Sequence, residues 1–263
     1  MTRLLSRTVF VPSPGPGTAV LASSYYSRAT GGKLIGVHSL VTRSDTTDIA
    51  FERVSKDNGR TWSEAIEKKT GEPRPEGMLR RSGCGGFVDP VTDRYLSIWN
   101  EALLPSDHPL EGMKQWRLYY SVSEDGGETR LFEEPIIHKG ADYDALHPFP
   151  GAWVGKNSIM LGDLTCFPLS LADGTILVPC QFTPIGPDGS YYNPGGGLSY
   201  HYAAVLIGRW HPDKRLAWTM SRPVEGDPAQ TTLGMVEPTI AGLEDNRLLM
   251  VMRGSNDVKP HLP

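Results

Sequence analysis

Short apolar runs separated by turn residues dominate the chain. Tyr95-Leu96-Ser97-Ile98-Trp99, Trp116-Arg117-Leu118-Tyr119-Tyr120-Ser121-Val122 and Tyr202-Ala203-Ala204-Val205-Leu206-Ile207 are rich in β-branched and aromatic side chains. Such runs, bounded by turn residues, predict strands. Helical periodicity is weak throughout, and its best stretch, Thr61 to Lys69, is short and polar. One unit recurs, a turn followed by an apolar strand. It appears at Gly32-Lys33-Leu34-Ile35-Gly36-Val37, Asp93-Arg94-Tyr95-Leu96-Ser97-Ile98, Gly174-Thr175-Ile176-Leu177-Val178 and Asn246-Arg247-Leu248-Leu249-Met250-Val251. The turn positions 32, 93, 174 and 246 are separated by 61, 81 and 72 residues. Repetition on this scale marks an array of similar units.

A second element rides on the first. Ser55-Lys56-Asp57-Asn58-Gly59-Arg60-Thr61-Trp62 reads Ser-x-Asp-x-Gly-x-Thr-Trp and follows the strand-like run Asp48 to Val54. The Asp57 carboxylate can fold back onto nearby backbone N–H groups. Gly59 permits a positive φ, and Trp62 offers an apolar body to pin the turn on its strands. Ser123-Glu124-Asp125-Gly126-Gly127-Glu128-Thr129-Arg130 repeats the pattern with Arg130 in the Trp place. His211-Pro212-Asp213-Lys214-Arg215-Leu216-Ala217-Trp218 keeps the Asp and the Trp, but Arg215 replaces the Gly, so its turn must differ. The first three units therefore carry two strand pairs each, the organisation of a propeller blade. The expected fold class is all-β, a β-propeller of four-stranded antiparallel blades, about three and a half in 263 residues. Two long inserts, Gly140 to Asp163 and Pro184 to Leu198, are expected at the blade edges near the mouth.

Composition narrows the partners. The chain is 39% hydrophobic and 21% charged, enough for a core. Gly 29 and Pro 22 make up about a fifth of it, which suits many turns. A net charge of −4 gives no reason to expect nucleic acid or an anionic membrane. Cys84, Cys166 and Cys180 are odd in number and lack metal-ligand spacing, so buried free thiols are expected. No run has the length of a membrane span or a signal-peptide core, which reads as a cytoplasmic chain by default. No cofactor is expected: Gly195-Gly196-Gly197 lacks the Lys-Ser/Thr of a phosphate loop, and calcium-loop spacing is absent.

Candidate chemistry follows from aligning the four hairpins. The residues just after each inner strand come into register as Ser39, Asn100, Gln181 and Arg253, and those entering each hairpin as Ser23, Cys84, Thr165 and Glu237. In a propeller these positions point toward the central mouth. The fourth hairpin alone carries charge at both, Glu237 and Arg253. The bland alternative for that pair is a structural ion pair.

The Ser-x-Asp-x-Gly-x-Thr-Trp turn resembles the Asp-box, or bacterial neuraminidase repeat, of sialidase-like β-propellers. The segment from Glu237 to Arg253 is similar to the sialidase segment in which a Glu starts a strand and an Arg ends its partner. The resemblance spans nearly the whole chain at blade level. It implies a six-bladed propeller of which residues 1–263 form a single partial domain, the N-terminal part of a longer protein. It implies an exo-glycosidase that releases a terminal anionic, sialic-acid-like sugar from a glycan, by general-acid departure and a tyrosine-based covalent intermediate. Glu237 would polarise the tyrosine, since a phenol needs a neighbouring base. Arg253 would be one of three arginines gripping the substrate carboxylate, which a guanidinium matches bidentately. Asn100, Gln181 and Arg43 would complete the substrate-binding side. The chain departs from the pattern in lacking an Arg-Ile-Pro motif; Arg43 stands in a plausible early stretch without it. Asp45 and Asp48 are the candidates for the general acid, and the tyrosine and third arginine would lie beyond Pro263.

Two other readings stay open. Some uronate-cleaving polysaccharide lyases, such as ulvan lyases, are also propellers that use His and Tyr as base and acid with Arg on the carboxylate. His147, Tyr200, His201 and Arg209 are the right types for such proton abstraction. A non-catalytic carbohydrate- or protein-binding propeller is the third, because a fold does not fix a function. Arg80-Arg81 could face an anionic sugar, and Trp99 and Trp153 could stack on one; a solvated turn and core filling are the bland readings.

Overall fold

The computed structural model describes residues 7, 9–43, 47–108, 116–155, 158–162, 166–245 and 247–255, and all their side chains except those at 84 and 85. These residues form strands joined by turns, with one 3-10 turn at Arg28–Thr30. Blade one is an antiparallel sheet of β1 (Ala19–Tyr26), β2 (Leu34–Val41), β3 (Ile49–Ser55) and β4 (Ile66–Lys68), paired in that order. Blade two is β6 (Gly77–Val88), β7 (Tyr95–Leu104), β8 (Arg117–Ser123) and β9 (Phe132–Pro135), with the short β5 (Gly71–Arg74) added beside β6. In blade three the inner strand is broken into β10 (Ile159–Met160) and β11 (Leu169–Ser170), both paired to β12 (Ile176–Phe182). It continues through β13 (Tyr202–Trp210) and β14 (Leu216–Met220). The last sheet is the hairpin β15 (Met235–Gly242) and β16 (Leu248–Gly254). This is the all-β propeller of about three and a half blades that the sequence predicts. The helical stretch considered at Thr61 to Lys69 is instead an extended segment ending in β4, where the side chains alternate across the sheet.

The second strands β2, β7, β12 and β16 begin at residues 34, 95, 176 and 248, two after each repeated turn position. The turns fit their residues. Gly32 has φ 84° and Gly174 φ 80°, and Asp93 reaches φ 59°, a conformation that Asp tolerates better than most side chains.

The two Ser-x-Asp-x-Gly-x-Thr turns share one hydrogen-bond pattern. Ser55 Oγ donates to Asp57 at 2.9 Å and accepts from the Gly59 N–H at 2.8 Å, while Asp57 accepts the Thr61 N–H at 2.8 Å and its hydroxyl at 2.7 Å. Ser123, Asp125, Gly127 and Thr129 repeat these bonds. Trp62 lies so close over β2 that a Cβ on Gly36 would be 2.7 Å from its ring. The His211 turn is different, as Arg215 requires. There Lys214 takes the positive φ of 70°, and Asp213 accepts the Arg215 N–H at 3.0 Å.

The interface between blades two and three is dry. Leu96, Ile98, Leu118 and Val122 from blade two meet Ile176, Val178 and Leu206 from blade three, all essentially inaccessible to solvent. Each such side chain contributes about 1.5–3 kcal/mol through burial. Cys166 and Cys180 are buried free thiols in the same cluster. A polar tie closes one end: buried Asp89 accepts from Ser170 Oγ at 2.7 Å and from the Trp210 indole N–H at 3.1 Å. Burial opposes its charge, but these donors and Thr92 hold its carboxyl below the ordinary range. The hairpin β15–β16, by contrast, leaves Leu248, Leu249 and Val251 exposed.

The turns should report on acid stability. The N–H and hydroxyl of Thr61 lower the Asp57 pKa to about 2, against about 3.9 in an unfolded chain. A depressed carboxylate stabilises the fold fully above the unfolded value, and its contribution is lost as pH falls through the folded one. Asp57→Ala should therefore lower the melting temperature at pH 7 by about 2–4 °C. The gap to the unsubstituted chain should close between about pH 4 and pH 2. Thermal melts across that range check it; a gap independent of pH would remove the carboxylate from the account.

Candidate functional site

Antiparallel pairing puts all the Ser-x-Asp turns at one end of the blades. Ser55 pairs with Leu34, where β2 starts, whereas Val41, at the end of β2, pairs with Ala19. The opposite end, where β2, β7, β12 and β16 finish, is the mouth. The four aligned residues there pair as Leu21 with Ser39, Ser82 with Asn100, Met160 with Gln181, and Val236 with Arg253. The entering residues thus lie two positions earlier than expected in the first two blades. Ser23 sits mid-strand opposite Val37, and a β-bulge between Gly83 and Gly86 displaces Cys84. Thr165 and Asp45 lie outside the described residues.

Glu237 is held in an unusual backbone. The ladder of β15 and β16 breaks between Val236 and Thr239, and Glu237 takes φ 52° within that bulge. A non-glycine residue in this region stores about 1–3 kcal/mol of strain unless its surroundings over-determine it. Pro238 follows and has no N–H to lose from the broken ladder. The Glu237 N–H is bound instead by Gln181 Oε1 of blade three, at 2.7 Å. Gly162 lets the segments meet: a Cβ there would lie 2.3 Å from Gln181 Oε1 and 2.8 Å from the Glu237 backbone. Across the hairpin, Arg253 reaches Glu237 Oε1 at 2.8 Å, with the two side chains 53% and 26% exposed. A pair this accessible contributes only about 0–1 kcal/mol to folding.

Asn100 is used as Gln181 is. It is 7% exposed. Its Nδ2 donates to the Leu161 carbonyl at 3.0 Å, and its Oδ1 accepts the Leu161 N–H at 2.8 Å. Each amide therefore ties its blade to the backbone of the next. The substrate-binding role expected for Asn100 and Gln181 shares these side chains with that structural use, because both polar atoms of Asn100 and Oε1 of Gln181 are engaged with backbone.

Arg43 does reach the mouth, with company that the sequence does not disclose. Asp107, at φ 58° in the turn after β7, accepts Arg80 Nε and Nη2, both at 2.6 Å, and Arg43 Nη2 at 3.0 Å. The Arg80 bond, with Arg43 behind it, keeps the Asp107 carboxyl below the ordinary range although burial opposes this. Asp48 stands beside them, 3.7 Å from Arg43 Nε. Burial opposes its charge, but the Thr42 N–H and hydroxyl and the two arginines lower its pKa. A carboxyl kept ionised is a poor proton donor at neutral pH, which argues against Asp48 as the general acid. Arg81 turns away to Glu101 and Glu133. Trp153 lies 6.0 Å from the Tyr191 ring in the inserts.

The lyase set does not converge. Tyr200 is buried, with its hydroxyl on the Gly226 carbonyl at 2.6 Å. His201, also buried, bridges Gly234 at the mouth end of β13. Arg209 is near the other end of that strand, beside Thr175 and Asp173. Eight residues of strand put it roughly 26 Å from His201. His147 is exposed in the first insert, 3.7 Å from Asp144. Among the described residues, no group of three or more His, Cys, Asp and Glu could hold a metal ion. No described helix is long and apolar enough to cross a membrane.

Removing the Gln181 acceptor tests the mouth's construction. Gln181→Ala removes the bond to the Glu237 N–H and should cost about 1–3 kcal/mol, read from the urea midpoint, whereas Ser39→Ala should be silent. Equal midpoints for the Gln181 variant and the unsubstituted chain would show that the amide bond does not hold the bulge.

Neither the family profiles nor the curated proteins compared with the sequence give a match. Solved structures do. The Hadza microbial sialidase Hz136 superposes with a TM-score of 0.56 at 17% identity, covering 89% of this chain and 41% of its own. An α-L-arabinofuranosidase, arb93a from Fusarium graminearum, solved as a Glu-to-Ala mutant with an iminosugar inhibitor, gives 0.50 at 16%, covering 94% and 59%. An α-L-arabinanase of Penicillium chrysogenum, complexed with arabinobiose, gives 0.47 at 14%, covering 90% and 57%. The chain thus spans about two-fifths to three-fifths of these relatives' lengths. With the blade order and the mouth described above, its fold is that of the sialidase-like β-propellers.

Proposed function

We propose that residues 1–263 belong to one domain and carry part of the active site of an exo-glycosidase that removes a terminal anionic sugar from a glycan. The observation that carries this reading is the Glu237–Arg253 pair, 2.8 Å apart at the mouth and presented on a strained bulge. Its half-exposed setting makes it worth little to the fold, so stability does not account for the strain. The paired turns at Ser55 and Ser123 support their reading as Asp-box repeats. The sialidase and arabinofuranosidase neighbours, both glycoside hydrolases with this fold, support the reaction class.

In this mechanism Glu237 accepts the proton of a tyrosine hydroxyl as its oxygen attacks the anomeric carbon. A general acid protonates the departing glycosidic oxygen, and water then releases the sugar from the tyrosine. Arg253 holds the substrate carboxylate with the N–H groups that Glu237 leaves free. One observation favours a neutral sugar as a second reading. The described guanidiniums at the mouth already hold carboxylates: Arg43 and Arg80 hold Asp107, and Arg253 holds Glu237.

Assays of the intact gene product on a sialoside, an α-L-arabinofuranoside and a uronate polymer decide among the classes. The expected result is hydrolysis of the sialoside without the ultraviolet absorbance of an elimination product. Glu237→Gln should reduce kcat by roughly 10²–10⁴-fold with an unchanged melting temperature. Arg253→Ala should raise KM for the anionic substrate roughly 10–100-fold. Hydrolysis of the arabinoside alone selects the neutral reading, and unaltered turnover in Glu237→Gln removes that residue from the chemistry. Binding without turnover of any substrate would leave a lectin-like propeller.

A further inference from the structure

Blades one and two do not close on each other as blades two and three do. Along β7 the side chains alternate: Leu96 and Ile98 face the dry core, whereas Tyr95, Ser97 and Trp99 line the opposite side. On β8, Ser121 lines that side, while the neighbouring Tyr120 and Val122 belong to the core. The small Ser97 and Ser121 side chains leave a cavity of about 300 Å³ between the blades, which Gly83 and Gly86 on β6 also line. That is the lower end of the roughly 300–1,000 Å³ typical of small-ligand sites.

The walls have a definite chemistry. One is aromatic, with Tyr25 of blade one stacked on Tyr95 of blade two at 4.4 Å. Cations predominate elsewhere. Lys68, Lys69, Arg81 and Arg130 line the cavity; Glu52, the one carboxylate among the described lining residues, pairs with Lys68 at 3.2 Å. Arg81 and Arg130 sit 5.6 and 5.9 Å from the Trp99 ring centroid. Glu101 and Glu133, which do not line the space, anchor these guanidiniums. The Trp99 indole N–H is buried with no hydrogen-bond partner, and an unmet buried donor costs about 1–3 kcal/mol. Lys68, Lys69 and Arg130 are exposed, so the cavity opens to solvent.

We propose that this inter-blade cavity is an accessory binding site, separate from the mouth, for one anionic monosaccharide. Its donors match an acid group and hydroxyls, its aromatic wall matches a sugar's C–H face, and its volume fits a single ring. A carboxylated and a phosphorylated sugar share this chemistry. The site does not depend on the glycosidase reading.

Calorimetric titration of the chain with glucuronate, glucose 6-phosphate and glucose tests it. Saturable binding is expected for one or both acidic sugars, at least tenfold tighter than for glucose, and the acid group that binds identifies the source. Ser121→Val fills the space from a strand position that suits a β-branched side chain, and should abolish binding. Lys69→Glu, on an exposed residue, should weaken it at least tenfold with an unchanged melting temperature. Arg253→Ala should leave it intact, which separates this site from the mouth. Failure of both acidic sugars to bind, equal binding of glucose, or full affinity in Lys69→Glu would overturn the proposal.

Discussion

A hydrogen bond between blades sets the geometry of the mouth. The Glu237 N–H has left its own ladder at the bulge, and Gln181 Oε1 takes it up from the preceding blade at 2.7 Å. Gln181 is 6% exposed, so water does not compete for that oxygen. The direction of the Glu237 side chain follows from a backbone angle that this bond maintains. One blade earlier, Asn100 uses both ends of its amide on Leu161. A repeated structural device, an amide at the end of the second strand, is thus converted in blade three into the support of a charged side chain.

The two faces of blade two explain why the structure is rigid on one side and hollow on the other. A strand shows alternate residues to opposite faces. The sequence of β7 places Leu96 and Ile98 on one face and Ser97 and Trp99 on the other. Blade three meets the first face with a continuous apolar surface of buried side chains. Blade one meets the second with Tyr25 and Glu52 around an open space. One period-two pattern therefore separates a packing surface from a binding surface within a single sheet.

The blades were legible because the second strand of each starts at a turn whose residues are dictated locally. Gly32, Asp93 and Gly174 take positive φ, and the strand after each is apolar. The Ser55 and Ser123 turns were legible for the same reason, since every bond in them joins residues within four positions. The mouth was less so. The bulge at Gly83 to Gly86 and the broken inner strand of blade three shift the pairing, and neither leaves a clear local signal. The partners of Asn100 and Gln181 are 61 and 56 residues away and are backbone groups, which carry no residue identity. Asp107 is not legible because Arg80 meets it only through the pairing of β6 with β7, and Arg43 only when blade one meets blade two. The lyase set failed for the opposite reason: the residue types were right, but strand geometry put His201 and Arg209 far apart.

Gly162 gives the mouth a hidden vulnerability. It carries no functional group, yet there is no room for even a methyl between it, Gln181 and the Glu237 backbone. A residue that contributes nothing but its own smallness thereby governs where an acid points. Surveys of this fold that weigh only acids, arginines and tyrosines would pass over such a position, although the placement of Glu237 depends on its staying empty.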